Sequence, residues 1–514
     1  MEKLTPMMQQ YLELKEQYKD TILLFRLGDF YEMFFEDAKL ASPILGIALT
    51  GRDCGLKDRA PMCGVPYHSV NNYIAKLVSK GYKVAICEQL EDPSLAKGIV
   101  KRDVVRVITP GTFIEDMYIN EKDNNYLLSI SMVDDGVGIS YVDLSTGEFY
   151  ATQIINDDWK HVTQDELLRI RPSEIIVQQD INDIKQLTQD IKKKINCHIW
   201  DFNGVYFKHD IAYKKLISHF KVINLSGFEL EDKPAAVGAS GALLQYLTET
   251  QRIGLAHINR IHAYNIVDYM ILDSTTRRNL ELVETMINKT KKGSLLWLLD
   301  KTLTAMGGRM LKNWIQQPLI SSTLIKKRLY GVKEIIDSPQ LLDGIKDCLK
   351  GVYDIERIIS KLSLNMVNGR DLISLKRSIK VLPQLKESLG QCSSEILKEF
   401  FGELDTLDDI FLLIDRTIVE EPPITIKEGG LIKTGYNDEL DNLKSASSRG
   451  KEWIAAMERD ERDKTGIKNL KIGFNKVFGY YIEVTKSNYG QVPDRYTRKQ
   501  TLANCERYIT SELK

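Results

Sequence analysis

The apolar residues of this 514-residue chain change period twice, which limits its possible folds more than any other feature. Up to about residue 255, short strand-like runs are interleaved with amphipathic helices. From about 258 the pattern is long-period and helical, and near 470 it becomes alternating. A single core does not grow to this length, so several domains are required. The expected fold class is therefore multidomain, α/β followed by all-α, with a small β element near residue 480.

In the first part, Thr5 and Pro6 read as the cap and first position of a helix, with helical pattern over 11–18 and 72–80 and a strand over 22–27. A polar joint, residues 120–125, precedes strand-like runs at 126–130, 138–142 and 148–151. The turn Ser145-Thr146-Gly147 between the last two suggests a meander, and 174–177 is a candidate buried strand. A long helix is expected over 437–462. Beyond it, Leu470, Ile472 and Phe474, and then Tyr480, Ile482 and Val484, alternate with polar or small residues. That pattern predicts a half-buried hairpin carrying Lys and Asn on its other face.

Composition excludes several classes. An apolar share of 43% and a charged share of 27% are ordinary for a globular protein. No apolar run approaches the roughly 18–20 residues that span a bilayer. The N-terminus lacks a basic stretch followed by an apolar core, so no secretion signal is expected. Seven scattered cysteines without a Cys-x-x-Cys pair argue against a zinc site or disulfide framework, and point to a reducing cytoplasm. Cys197-His198, His257 and His262 lack ligand spacing. Net charge is −1, yet residues 464–514 hold ten Lys or Arg against four Asp or Glu, a balance of +6. Residues 395–421 are correspondingly acidic. A basic terminal module suits phosphate contacts, and a solvated basic face gives the same pattern.

Gly28-Asp29-Phe30-Tyr31-Glu32-Met33-Phe34 follows the apolar strand and has two readings. Asp29 and Glu32 have the spacing of a helix capping box, and Phe30, Met33 and Phe34 that of a buried helix face. In such a helix, residues 30 and 32 point to nearly opposite sides. Alternatively, an aromatic beside a carboxylate can stack on a base and hydrogen-bond its edge. Pattern alone leaves both open.

The same run resembles the signature of the MutS mismatch-recognition family. Pro61-Met62-Cys63-Gly64-Val65-Pro66-Tyr67-His68, Val84-Ala85-Ile86-Cys87-Glu88-Gln89 and Val104-Val105-Arg106-Val107-Ile108-Thr109-Pro110-Gly111-Thr112 match in family order. The match continues through Met306-Gly307-Gly308-Arg309-Met310-Leu311 and Asn368-Gly369-Arg370-Asp371-Leu372. The resemblance implies that Phe30 wedges at a mispair while Glu32 hydrogen-bonds the base. It also implies five segments. These are a mixed α/β mismatch-recognition domain (1–118), a ribonuclease-H-like connector (124–255), a helical core and lever (256–443), a DNA clamp (444–500), and a returning core helix begun by 501–514.

Phosphate contacts need positive charge and reach. Arg52 and Arg102 are expected to supply them near the wedge, and Lys471, Asn475, Lys476 and Arg498 in the clamp. Asp143 in the connector invites a nuclease reading, but it lacks accompanying acids, so a non-catalytic connector is expected. The family's phosphate-cradling Gly-x-x-x-x-Gly-Lys-[Ser/Thr] loop is not found; Gly450-Lys451 is followed by Glu452 and has Ser445 at the leading position. The chain is thus expected to be an N-terminal part that neither hydrolyses ATP nor dimerises tightly. It should hold no catalytic residue, metal or cofactor of its own. ATP and Mg²⁺ would belong to the absent C-terminal domain. Mismatched duplex DNA, a MutL-type partner at the connector and a full-length homodimer are the partners implied. A DNA-binding scaffold without mismatch preference is the rival reading.

Overall fold

The computed structural model describes residues 4–91, 98–115, 120–133, 136–179, 181–252, 254–475 and 479–513, and only the backbone of 427 and 447–449. The chain divides into two compact units, Met1–Ile414 with Ile424–Lys427, and Asp415–Pro423 with Glu428–Lys514.

The first unit begins with a mixed sheet of β1 (Thr21–Leu27), β2 (Phe30–Phe34), β3 (Thr50–Arg52), β4 (Ala60–Pro66), β5 (Lys83–Gln89) and β6 (Arg102–Ile108). Their order is β3-β4-β2-β1-β5-β6, antiparallel throughout except for β1 beside β5. Alternate residues of β1 serve two cores. Leu23 and Phe25 pack with Met8, Tyr11 and Leu14 of α1 (Pro6–Gln17). Ile22 and Leu24 face α2 (Phe35–Leu45) and α3 (Val70–Ser79). Helices on both faces fit the continuous apolar run 22–25 within the strand. Thr5 occupies the cap position of α1 and Pro6 its first turn, but the Thr5 side chain makes no capping bond, contrary to expectation.

The second sheet contains β7 (Leu127–Val133), β8 (Gly136–Val142), β9 (Phe149–Ile154), β10 (Glu174–Gln178), β11 (His198–Phe202) and β12 (His262–Ala263), in the order β11-β10-β7-β8-β9-β12. Three antiparallel strands followed by two parallel ones give the expected ribonuclease-H-like arrangement. One face carries α4 (Trp159–Ile170) and α5 (Asn182–Lys194), the other α6 (His209–Phe220) and α7 (Pro234–Gln251). Gly138 lets α7 settle on β8, because a Cβ there would lie 2.0 Å from the Ala235 carbonyl oxygen.

The helical stretch comprises α8 (Ser274–Asn279), α9 (Leu295–Leu299), α10 (Ala305–Gln316), α11 (Ser322–Asp337), α12 (Pro339–Lys350), α13 (Ile355–Ser363), α14 (Gly369–Lys380), α15 (Leu382–Gly390), α16 (Glu395–Glu403) and α17 (Asp408–Thr417). Arg309 of α10 is buried. It donates to Asp354 at 2.7 and 2.8 Å, to Glu356 at 2.7 Å and to the Glu121 carbonyl at 2.8 Å. Arg357 reaches the Asp123 carbonyl at 2.7 Å, and Lys122 reaches Asp300 at 2.9 Å. The polar joint at 120–125 is therefore stitched to the helices that follow it.

In the second unit, α18 (Asp438–Thr465) is capped by the Asn437 side chain, which accepts from Leu440 N at 2.8 Å. The boundary expected between 443 and 444 falls inside this unbroken helix. The predicted hairpin forms as β13 (Lys471–Asn475) and β14 (Gly479–Thr485). The helix expected from 501 onward does not form. β15 (Thr497–Thr501) and β16 (Cys505–Ile509) complete an antiparallel sheet ordered β13-β14-β16-β15. β16 alternates, with Glu506 and Tyr508 buried, which is a strand's period and not a helix's.

Candidate nucleic-acid interface

β1 and β2 form a hairpin in which Leu27 pairs with Phe30, so Gly28 and Asp29 alone make the turn. Gly28 takes φ +58°, a conformation costly for residues with a Cβ. The capping-box reading of Asp29 and Glu32 is therefore overturned; residues 30–34 are a strand. That changes the geometry of the motif. Successive strand residues point to opposite faces, so Phe30 and Glu32 share one face, and Tyr31 and Met33 enter the core on the other. Phe34 shares the face of Phe30 but lies beneath α1, its ring edge-on to Tyr11 at 5.0 Å. Phe30 is 48% exposed.

Glu32 is ion-paired with Arg52, which reaches it from the edge strand β3. The Arg52 side chain remains 37% exposed, against 15% for Glu32. In the loop that follows Arg52, Asp53, Lys57, Asp58 and Arg59 are exposed, as is His68 after β4. On the reverse face the Arg26 guanidinium lies 3.9 Å above the Tyr67 ring, and the Tyr31 hydroxyl donates to Glu88. Burial and that carboxylate push the Tyr31 hydroxyl well above its usual range.

In the second unit, Lys471 is exposed on β13 and Asn475 ends that strand opposite Gly479. Arg498 on β15 is 62% exposed and 3.0 Å from Glu506. Lys476 lies outside the described residues. Phe474 and Tyr480, read from the sequence as inward-facing, are exposed. They pair across the hairpin with ring centroids 5.1 Å apart. The buried aromatic is Tyr481, packed where Gly473 has no side chain; a Cβ there would come within 2.7 Å of its ring.

Sequence models of MutS domain I, MutS domain II and MutS domain III match residues 5–117, 125–259 and 275–511. The chain belongs to the MutS family. It is 55% identical over 510 residues to the DNA mismatch repair protein MutS of Ruminiclostridium cellulolyticum, covering 99% of this chain and 58% of the relative. It is 54% identical to that of Acetivibrio thermocellus, covering 100% and 59%, and 53% identical to that of Halothermothrix orenii, covering 100% and 57%. The chain thus spans less than two thirds of the length of these MutS relatives.

Within this MutS domain I, one expected phosphate contact is corrected. Arg102 is buried, donating to the Arg26 carbonyl at 2.9 Å, Gln10 Oε1 at 3.1 Å and the Val100 carbonyl at 3.0 Å. Its guanidinium also lies 5.1 Å from the Phe25 ring centroid. Burial lowers its pKa. It is a structural cation that ties β6 to α1 and β1. In MutS domain II, Asp143 is fully buried, accepting from Asn124 at 2.8 Å, Asn125 N at 3.2 Å and Ser145 at 2.7 Å. Its oxygens are committed to a turn. Among the described residues, no group of three or more His, Cys, Asp or Glu could hold a metal ion, and no helix is long and apolar enough to cross a membrane.

Proposed function

We propose that this chain recognises mispaired or unpaired bases in duplex DNA and thereby initiates mismatch repair, with Phe30 as the wedge and Glu32 as the base contact. The observation that carries the reading is the exposed phenyl ring of Phe30 beside the Glu32 carboxylate on one face of β2. A mispair stacks poorly, so the duplex opens and kinks there at lower cost than at a matched step. Opening a step costs on the order of a few kcal/mol, which stacking on an inserted ring offsets. Arg52, Lys471, Asn475, Lys476 and Arg498 would position the backbone without reading sequence, giving binding that falls steeply with salt.

The remaining assignments go with this reading. The connector would receive a MutL-type partner, while dimerisation and ATP with Mg²⁺ are assigned to the part of the relatives that this chain does not span. By itself the chain would turn over no ATP and would act in the cytoplasm. The test is fluorescence anisotropy on matched and G·T duplexes across a salt series. Tighter binding to the G·T duplex supports the reading, whereas equal affinity at every salt concentration favours a scaffold without discrimination.

A further inference from the structure

A carboxylate on a DNA-facing surface carries the wrong sign for the backbone, and in this chain Glu32 is neutralised by Arg52. Arg52 is also the more exposed of the two, so a phosphate can approach its guanidinium while the carboxylate stays in place. In the free chain Glu32 holds the Arg52 guanidinium through Nη1, and a phosphate that takes the guanidinium in a bidentate geometry competes with that contact. Arg102, the buried cation nearby, already donates to three partners and cannot take over either role. Gly64 stands directly opposite Glu32, and a Cβ there would touch Glu32 Cγ at 3.4 Å.

We propose that Arg52 is an exchange partner: it holds Glu32 in the free chain and passes to a backbone phosphate when duplex DNA binds, releasing the Glu32 carboxylate to a base edge. This rests on the reading of Glu32 as the base contact. It makes Arg52 a positioning residue for specificity as well as a grip. The base-reading acceptor is presented only after a phosphate has arrived, so backbone contact and base readout are coupled through one side chain. On a matched duplex that excludes the ring of Phe30, the released carboxylate finds no base to contact and opposes binding.

The test measures the salt dependence of binding to a matched duplex by anisotropy, using the 514-residue chain and its Arg52→Gln, Glu32→Gln, double and Arg52→Lys variants. Thermal melts first establish that each variant is folded. Exchange predicts equal slopes of log K against log salt for the parent chain and Glu32→Gln, because Arg52 contacts a phosphate in both. The slope falls by about 0.9, one phosphate's worth, in Arg52→Gln and in the double variant, and Arg52→Lys restores it. A steeper slope for Glu32→Gln than for the parent would mean that the pair stays closed on DNA, and the proposal would fail. An unchanged slope for Arg52→Gln would defeat it equally. Mismatch preference retained by Phe30→Ala on a G·T duplex would instead defeat the underlying wedge reading, without bearing on the slopes.

Discussion

Phe30 and Phe34 lie four residues apart on the same face of β2, and α1 covers the second while leaving the first open. One strand therefore anchors itself and presents a ring. Phe34 is packed against Tyr11, and the strand then runs through the half-buried Glu32 to the exposed Phe30 at the hairpin turn. A ring at the end of a packed row is held by the core without being part of it.

The turn that sets this row depends on Gly28. At φ +58°, with open space where a Cβ would stand, Gly28→Ala should cost about 1 kcal/mol from backbone strain alone. Gly28→Asn should cost less, because Asn tolerates that region. Amide hydrogen exchange across β1 and β2 measures the effect. Equal protection in the parent and the alanine variant would show that the turn does not hold the hairpin.

Arg102→Ala should act on stability and not on DNA. Losing three hydrogen bonds in a buried setting, with acceptors left unsatisfied, costs on the order of 1–3 kcal/mol. Denaturant melts should register that loss, while the salt slope of DNA binding stays at its parent value. A shallower slope would return Arg102 to the phosphate contacts.

Two groups in the first unit, the buried His257 and the half-buried Glu148, should tilt stability in opposite directions with pH. Burial holds the His257 ring down to about 4 from an ordinary 6.5, so its contribution is complete above 6.5 and is lost as pH falls toward 4. Burial, then Glu356 and Asp143, push the Glu148 carboxyl up to about 7 from 4.5. The folded chain therefore holds a proton there that the unfolded chain releases, and stability declines as pH rises from 4.5 to 7. His257→Gln should flatten the acid limb. Glu148→Gln should raise stability above pH 7, by up to about 3 kcal/mol. Thermal melts from pH 4 to 8 read both, and parallel curves for parent and variants would contradict the assignments.

The elements most legible in the sequence were those with a clear period. β1, the meander of β7–β9 and the 471–485 hairpin announce themselves by runs or alternation, and α18 by its length. β2 was harder to read. Five residues with apolar side chains at 30, 31, 33 and 34 fit a helix face as well as a strand; the Gly28-Asp29 pair between two apolar runs is a hairpin signal that the sequence reading did not use. Arg102 was misread because a strand cation next to Lys101 gives no indication of which face is covered; its inward direction depends on Gln10 of α1. The 505–509 strand carries its alternation in Glu506 and Tyr508, whose polar atoms disguise a buried face. At the candidate site, the family motif located Phe30 and Glu32, but the ion pair with Arg52 joins residues distant in sequence and emerged only from the fold.

The most direct test of the account is the ratio of affinities for G·T and matched duplexes in the parent chain and in Phe30→Ala, measured by anisotropy at low salt. Because Phe30 is about half exposed, its removal should leave the fold and the salt-sensitive general binding in place. The expected result is tighter G·T binding by the parent and a ratio near one for Phe30→Ala. An undiminished preference in the variant would contradict it and place mismatch recognition elsewhere in the chain.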